Sequence, residues 1–555
     1  SASYGSAVSA GNTVEVELDM DNNTVEFLIN GSAQGTISKT FTGTVVFMVQ
    51  DGSNGSAIDV TAEFDYTPND ASFKNLNTAN LTAPTYQGID YFDATIYEGN
   101  GTGQRVGDFV PFTDSETVAN STIFNDDDSS HLTRTYTTPT GGADAGKKFT
   151  FAFWFKPGSS TSDQYIISTG ANLGSGTANE GYIAINHSTG GGQIWVADPN
   201  DGSGFGARTA ATFKDSSQWY NVCIGIDSTA SSGSRFKLEV NGVEQTMLDN
   251  LGGGSLPTEP SSGQVMKLAR DTEAKVIGRR MYNSTGYFDG YLANVYYIDG
   301  EKKQASDFGQ LDTSTNRWVA KAYTGSYGNN GFKLAFGTAS TGNGNTNGVG
   351  TDTSGEGHNW TEQGFTTSDQ VTDTPSKNFN VFDSGLNGAG TLSEGNTQIV
   401  TATDQRTTYT TINIPATGKW YWEVDVVNYV SGGSSFFGIV EFDELVTGNN
   451  PVNAITRKVV FDNFSGNAYV YSTSAAGTTW CNTPGNNNFN ADGDILQFAL
   501  DQDAGTLFIG NNNTWFRAGG ARDSFANATT VGQEPFKTGV KRRFLIGRGG
   551  SFNET

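Results

Sequence analysis

The sequence predicts an all-β chain of tandem antiparallel β-sandwich (jelly-roll) domains, and three observations lead there. Aromatic residues reach 12% although hydrophobic residues make up only 35%; disordered chains are poor in aromatics, so this chain folds. Glycine is abundant, 71 residues against 13 prolines, and with Asn, Ser and Thr it marks many tight turns between short strands. Apolar residues alternate with polar ones over short runs, and no long run carries them at helical spacing. A length of 555 residues corresponds to about three or four domains.

The charge balance narrows the partners. Against 58 Asp and Glu stand 33 Lys and Arg, a formal charge of −25. A duplex-binding protein needs clustered cations to displace phosphate counterions; the densest basic runs here are Lys541-Arg542-Arg543 and Arg279-Arg280. Nucleic acid is therefore not an expected partner, nor is an anionic membrane surface, and the acidity reads as solubility. Cys223 and Cys481 are the two cysteines. They fall in different domains, which excludes a disulfide framework and leaves two small core-type thiols. No segment has the apolar length of a membrane span, so membrane insertion is not expected. With neither signal peptide nor initiator Met, residue 1 reads as a point inside a longer gene product.

Taken in order, the first element is one half of an internal echo. Residues 11–27, Gly-Asn-Thr-Val-Glu-Val-Glu-Leu-Asp-Met-Asp-Asn-Asn-Thr-Val-Glu-Phe, return as residues 493–509, Gly-Asp-Ile-Leu-Gln-Phe-Ala-Leu-Asp-Gln-Asp-Ala-Gly-Thr-Leu-Phe-Ile. Each copy gives a strand, an Asp-x-Asp turn, a second strand and a second turn (Asn30-Gly31; Asn511-Asn512-Asn513), which is hairpin grammar. In the first copy Val14, Val16 and Leu18 form the apolar side, and Glu15, Glu17 and Asp19 the wet side. Asp19, Asp21, Asp501 and Asp503 are read as turn caps in preference to calcium ligands. The copies are cut differently: the first lacks everything before its hairpin, and the second stops where the first runs on into a strand at 57–64. An excerpt from a longer tandem array is the expectation, with strand borrowing from a neighbour as the alternative.

Between the copies lies a different domain. After an opening at 121–134, Phe149, Phe151, Phe153 and Phe155 share one face of a strand. Further alternating runs at 165–167, 181–186, 193–196, 219–226, 235–242 and 288–298 call for two packed antiparallel sheets. Trp154, Trp195, Trp219 and Trp422 sit inside strand patterns and read as core, while Trp318 follows a polar loop and suits a domain junction. The Gly-, Asn- and Thr-rich stretch 337–375 reads as flexible coil. The expected organisation is a partial sandwich at 1–68, a connector at 69–115, a sandwich at 116–336, a linker at 337–375 and a sandwich at 376–555 truncated at its C-terminus.

These residues carry a family likeness. Residues 116–336 resemble a laminin-G-like, concanavalin-A-like lectin domain through Phe-Asn-Asp-Asp-Asp-Ser, Phe-Ala-Phe-Trp-Phe-Lys, Gln-Trp-Tyr-Asn-Val, Lys-Leu-Glu-Val-Asn-Gly and Phe-Asp-Gly-Tyr-Leu-Ala-Asn-Val. Residues 376–555 resemble a SPRY domain through Gly-Lys-Trp-Tyr-Trp-Glu-Val at 418–424, Phe-Gly-Ile at 437–439 and the hairpin from Gly493; residues 1–68 resemble the C-terminal part of another. The connectors at 73–84, 321–328 and 350–361 are similar to segments joining such domains in virion proteins of marine tailed phages. The resemblance implies a tail fibre, receptor-binding or other virion-surface protein. It would be assembled in the host bacterial cytoplasm as a homo-oligomer, with a host-surface glycan or protein and other virion proteins as partners.

Candidate chemistry is sparse. Concanavalin-like glycosidases carry paired carboxylates on one strand because acid and nucleophile must flank one bond. The nearest pattern here, Glu423-Val-Asp425-Val-Val-Asn428, has Asn in the last place, and no catalytic residue or enzyme activity is expected. His131, His187 and His358 are scattered and lack zinc spacing. Asp126, Asp127 and Asp128 are the best metal candidates, since adjacent loop carboxylates suit Ca2+; an exposed acidic turn is the plainer reading, and no cofactor is expected otherwise. Trp360, Trp480 and Trp515 lie among Gly, Asn and Thr, where an exposed ring could stack on a sugar face. Multivalent adhesion is the leading function; a decoration, spacer or filament role is the alternative, and a polysaccharide-degrading spike the weakest.

Overall fold

Side chains that alternate at period two are buried by pairing strands, and the computed structural model is all-β, with short 3-10 turns and no α-helix among the described residues. It describes residues 5–9, 11–19, 21–40 and, with short interruptions, 116–549. The described residues up to 40 belong to one compact unit and those from 116 onward to another.

In the first unit, β1 (Val14–Asp19), β2 (Thr24–Ile29) and β3 (Ser32–Ser38) form an antiparallel sheet. The turn aspartate caps it: Asp19 Oδ1 accepts from the N–H of Asp21 at 3.0 Å and of Asn22 at 2.9 Å. The expected division into a wet and an apolar face is not reproduced: Glu17 is 7% exposed and Val14 43%, while Glu15, Val16, Leu18 and Asp19 are all half-buried.

The second unit begins with β4 (Ser121–Phe124), β5 (His131–Thr135), β6 (Lys148–Pro157), β7 (Gln164–Thr169), β8 (Gly181–Asn186) and β9 (Gln193–Asp198). It continues with β10 (Phe205–Thr209), β11 (Tyr220–Asp227), β12 (Phe236–Val240), β13 (Val243–Glu244), β14 (Met247–Leu248), β15 (Ala274–Ile277) and β16 (Gly290–Asp299). A hairpin, β17 (Gly309–Asp312) and β18 (Arg317–Ala320), precedes β19 (Phe332–Leu334), β20 (Thr361–Gln363) and β21 (Gln370–Val371). Two antiparallel sheets face each other, in the orders β14-β10-β9-β8-β7-β15-β5-β20 and β13-β12-β11-β6-β16-β4-β21, with β19 on β16.

Between the sheets lie Phe149, Phe151, Phe153 and Phe155, each at most 1% exposed, as the alternation requires. Burying such a side chain stabilises the fold by about 1.5–3 kcal/mol. The back of the β6 sheet is also covered: Trp154 and Trp219 pack with Tyr291, Val118 and Ala320, and Cys223 with Tyr296, Phe308 and Tyr327. Trp318 joins that cover, donating from Nε1 to Asn221 Oδ1 at 2.9 Å. Trp195 is half-buried on the outer face of the other sheet, opposite Ala184 and Arg208.

The stretch read as flexible coil is built into this sandwich. It supplies β20 to one sheet and β21 to the other, and Glu362 within β20 is fully buried, accepting from Thr341 N–H at 2.7 Å and Val349 N–H at 3.0 Å. Asp352 pins the next loop, accepting from the N–H of Lys333 at 3.0 Å, Ser354 at 2.9 Å and His358 at 2.8 Å. Its Gly and Asn content serves close packing and turns.

The last sandwich comprises β22 (Phe382–Asn387), β23 (Gly390–Ser393), β24 (Gln398–Thr401), β25 (Arg406–Thr410), β26 (Lys419–Asp425), β27 (Ser434–Glu441) and β28 (Lys458–Phe464). Then follow β29 (Asn467–Ser472), β30 (Ala475–Cys481), β31 (Ile495–Asp501), β32 (Thr506–Asn511), β33 (Thr514–Phe516), β34 (Arg522–Asp523) and β35 (Arg542–Gly549). One sheet runs β22-β25-β35-β27-β28-β29-β30, the other β26-β31-β32-β33-β34. Leu496, Phe498, Leu500, Leu507, Ile509 and Phe544 fill the space between them. The echo is structural as well: Asp501 Oδ1 accepts from the N–H of Asp503 at 3.1 Å and of Ala504 at 2.9 Å, as Asp19 does in the first copy. The tandem antiparallel sandwich architecture read from the sequence is the one the chain adopts.

Candidate functional site

The outward face of the β26–β33 sheet carries a polar and aromatic surface. Along β26, Lys419-Trp420-Tyr421-Trp422-Glu423-Val424-Asp425, alternate residues are exposed and half-buried. Trp420, Trp422 and Val424 pack on the core, and Trp422 stacks on Phe498 with ring centres 5.4 Å apart. That fixes Lys419, Tyr421, Glu423 and Asp425 outward. Tyr421 lies opposite Ala499 and Glu423 opposite Gln497 on β31. Phe508 and Gly510 continue the two rows on β32, and Trp515 on β33 lies opposite Gly510. Small residues in the rows leave room for the rings: a Cβ on Gly510 would come 3.0 Å from Trp515 Cδ2.

Gln497 organises the polar part. Its Nε2 lies 2.8 Å from Tyr421 Oη, 3.2 Å from Glu423 Oε1 and 2.9 Å from Asn513 Oδ1, while its Oε1 accepts from Asn513 N–H at 2.7 Å. Tyr421 donates its hydroxyl to Glu423 Oε1 at 2.5 Å. Partial burial, then the bond to Glu423, raise the Tyr421 pKa, so the phenol stays protonated and donating. Asn513 joins because Asn512 and Asn513 take φ of 51° and 62° in the β32–β33 turn, a backbone state Asn tolerates. Tyr421 is 55% exposed, so an aromatic face stands beside a carboxylate and an amide in fixed geometry. Such a set can stack on a sugar ring and hydrogen-bond its hydroxyls.

The residues singled out from the sequence fare differently. Trp360 is fully buried, 5.0 Å from Phe332 and 6.4 Å from Tyr136 between ring centres. Its sequence surroundings are polar but its spatial ones are not, so it is a core residue and no stacking platform. Trp515 reaches the candidate face but is only 8% exposed. Trp480 lies on β30, whose side chains are outside the described residues, as does the Cys481 side chain; His187 is likewise outside them.

Asp126, Asp127 and Asp128 form an exposed turn, closed by Asn125, which accepts from Asp127 N–H at 3.2 Å and donates to Asp128 at 3.1 Å. Partial burial, then Asp127, push the Asp126 pKa up. Among the described residues no group of three or more His, Cys, Asp or Glu is placed to hold a metal ion. His131 and His358 are engaged separately, by Ser129 O and Gly331 O, each at 2.7 Å. Sequence reasoning missed Tyr421, Gln497 and Asn513. The available signal was Tyr421 itself, an aromatic at an outward position among charged residues.

Residues 129–306 match the family model for the concanavalin A-like lectin/glucanases superfamily. Comparison with curated proteins finds no match. Among solved structures the chain is similar to a heptameric SAP-like pentraxin from Limulus polyphemus, with 16% identity over 37% of this chain and 94% of that one, TM-score 0.26. It is also similar to domains LG4-5 of mouse laminin α1, with 11% identity over 80% of this chain and 85% of that one, TM-score 0.25. The SPRY domain of human HERC1 is similar at 15% identity, over 26% of this chain and 80% of that one, TM-score 0.18. Among the described residues no helix is long and apolar enough to cross a membrane. The chain is an all-β protein of tandem antiparallel sandwiches, of which residues 129–306 are similar to the concanavalin A-like lectin/glucanases superfamily.

Proposed function

We propose that this chain is a non-enzymatic adhesive protein of a tailed-phage particle, a tail fibre or receptor-binding array that holds host-surface glycan or protein. The observation that carries the binding part is the exposed Tyr421 ring fixed beside Glu423, Gln497 and Asn513. Stacking on the ring and hydrogen bonds to its neighbours give a weak single site, and repetition along an array or oligomer raises the overall affinity. Glu423 and Asp425 face outward on an open sheet, and the pattern that would pair them with a third carboxylate has Asn428 instead. The resemblance of the connectors to those of phage virion proteins supports the particle assignment, on which other virion proteins would be neighbours.

The test is Tyr421→Ala in the full chain, on a glycan array and on candidate host cells. Binding weakened by about tenfold or more, which is about 1.4 kcal/mol, with an unchanged circular dichroism spectrum, is the expected result. Equal binding by variant and parent removes this face from the proposal. The second reading, an architectural spacer, is favoured by the direct bonds between the two sandwiches of the second unit, such as Tyr291 Oη to Gly395 O at 2.8 Å. It predicts no binding to any array or host cell.

A further inference from the structure

One buried lysine organises the start of the last sandwich against the one before it. Lys156, near the end of β6, has a fully enclosed side chain. Its Nζ lies 2.9 Å from Asp373 Oδ2, 2.9 Å from Asn378 Oδ1 and 2.9 Å from the carbonyl of Phe379. The Tyr291 ring centre is 5.5 Å away. Asp373, itself 2% exposed, accepts through Oδ1 from Trp219 Nε1 at 3.0 Å and Phe379 N–H at 3.1 Å. Asn378 is half-buried and donates from Nδ2 to Ser217 O at 2.7 Å.

An ion pair needs only the carboxylate. Here the side-chain amide is also gripped at both ends, Oδ1 by the amine and Nδ2 by Ser217, which holds its carbonyl carbon beside the amine. Burial pulls the Lys156 pKa down, with Asp373 opposing, so the neutral, nucleophilic amine is reached more readily here than in water.

We propose that Lys156 and Asn378 condense into an intramolecular isopeptide bond, with Asp373 as the proton carrier. The ammonium passes a proton to Asp373, and the freed lone pair attacks Cγ of Asn378, forming the Nζ–Cγ bond. Asp373 returns that proton to Nδ2, the Cγ–Nδ2 bond breaks with its electron pair on nitrogen, and the second Nζ proton passes through Asp373 to the departing ammonia, which leaves as ammonium. Nothing is oxidised or reduced, and no co-reactant enters. The bond ties β6 of the laminin-G-like sandwich to the first residues of the SPRY-like one, so tension along the chain bypasses everything between them. This inference rests on the junction alone and is independent of the Tyr421 face.

Intact-mass spectrometry of the purified full chain reads the outcome. The expected mass is lower than the encoded one by a single ammonia, with a branched peptide joining the Lys156 and Asn378 segments after proteolysis. Asn378→Ala, which keeps the Lys156–Asp373 pair, and Lys156→Arg should each show their own encoded mass while remaining folded. The encoded mass in the parent chain, with Lys156 and Asn378 in separate linear peptides, overturns the proposal. Loss of one water, with Lys156 joined to Asp373, overturns the choice of Asn378 as acceptor.

Discussion

Trp360 and Tyr421 show what decides a side chain's role. Trp360 sits among Asn, His and Thr in the chain, yet Phe332 and Tyr136 surround it in space. Tyr421 sits between two tryptophans, yet strand alternation turns it to solvent. Local composition misjudged the first; period-two geometry could have identified the second. Asp198 is a third case, invisible to pattern because its environment is wholly tertiary. It is fully buried, its Oδ2 accepts from Lys267 N–H at 2.5 Å, and Oδ1 has no hydrogen-bond partner among the described residues. Burial pushes its pKa up to about 6, against the lowering effect of the Lys267 N–H. A folded pKa above the unfolded one means the native state binds the proton more tightly. That contribution is full below about pH 4 and is lost as pH rises through about 6, on the order of 3 kcal/mol in all. Asp198→Asn cannot titrate there, so relative to the parent it should gain stability steadily between these limits and then level off. Urea unfolding at closely spaced pH values checks this, and parallel profiles for the two proteins would refute the assignment.

At the scale of elements, strands were legible wherever one face is buried, because alternation then has a single solution. The β6 phenylalanines and the hairpin from Gly493 are of this kind. The stretch 337–375 was not legible, because Gly and Asn are common both in flexible coil and in backbone that packs too closely for a side chain. Gly350 belongs to the second class: a Cβ there would meet the Trp360 carbonyl oxygen at 2.0 Å. Gly337, in the same stretch, would meet nothing within 4 Å. Gly350→Ala should therefore destabilise the laminin-G-like sandwich by about 1–3 kcal/mol through overpacking, while Gly337→Ala should stay within about 0.5 kcal/mol. Denaturant midpoints for the pair decide between packed backbone and coil; equal midpoints would return the segment to the flexible class.

At the scale of the molecule, the two sandwiches of the second unit meet through the β23–β24 turn as well as through Lys156. Asn125 Nδ2 donates to Glu394 Oε1 at 2.6 Å, and Tyr291 donates to Gly395 O at 2.8 Å. Gly395 is required twice over: its φ is +60°, and a Cβ would meet the Tyr291 ring at 2.5 Å. None of this was readable from one sequence, since β-turn residues look alike whether they face water or another domain. Gly395→Val should push the turn off Tyr291 while leaving both cores intact, because neither core includes that position. Unfolding of the parent should couple the two sandwiches in one calorimetric transition, the docked interface being lost when either opens. In the variant the transition should split in two, with a larger radius of gyration by small-angle scattering, as one rigid body becomes two linked ones. A variant that still unfolds in one step with unchanged dimensions would show that the turn is a bystander and that the Lys156 node alone sets the geometry.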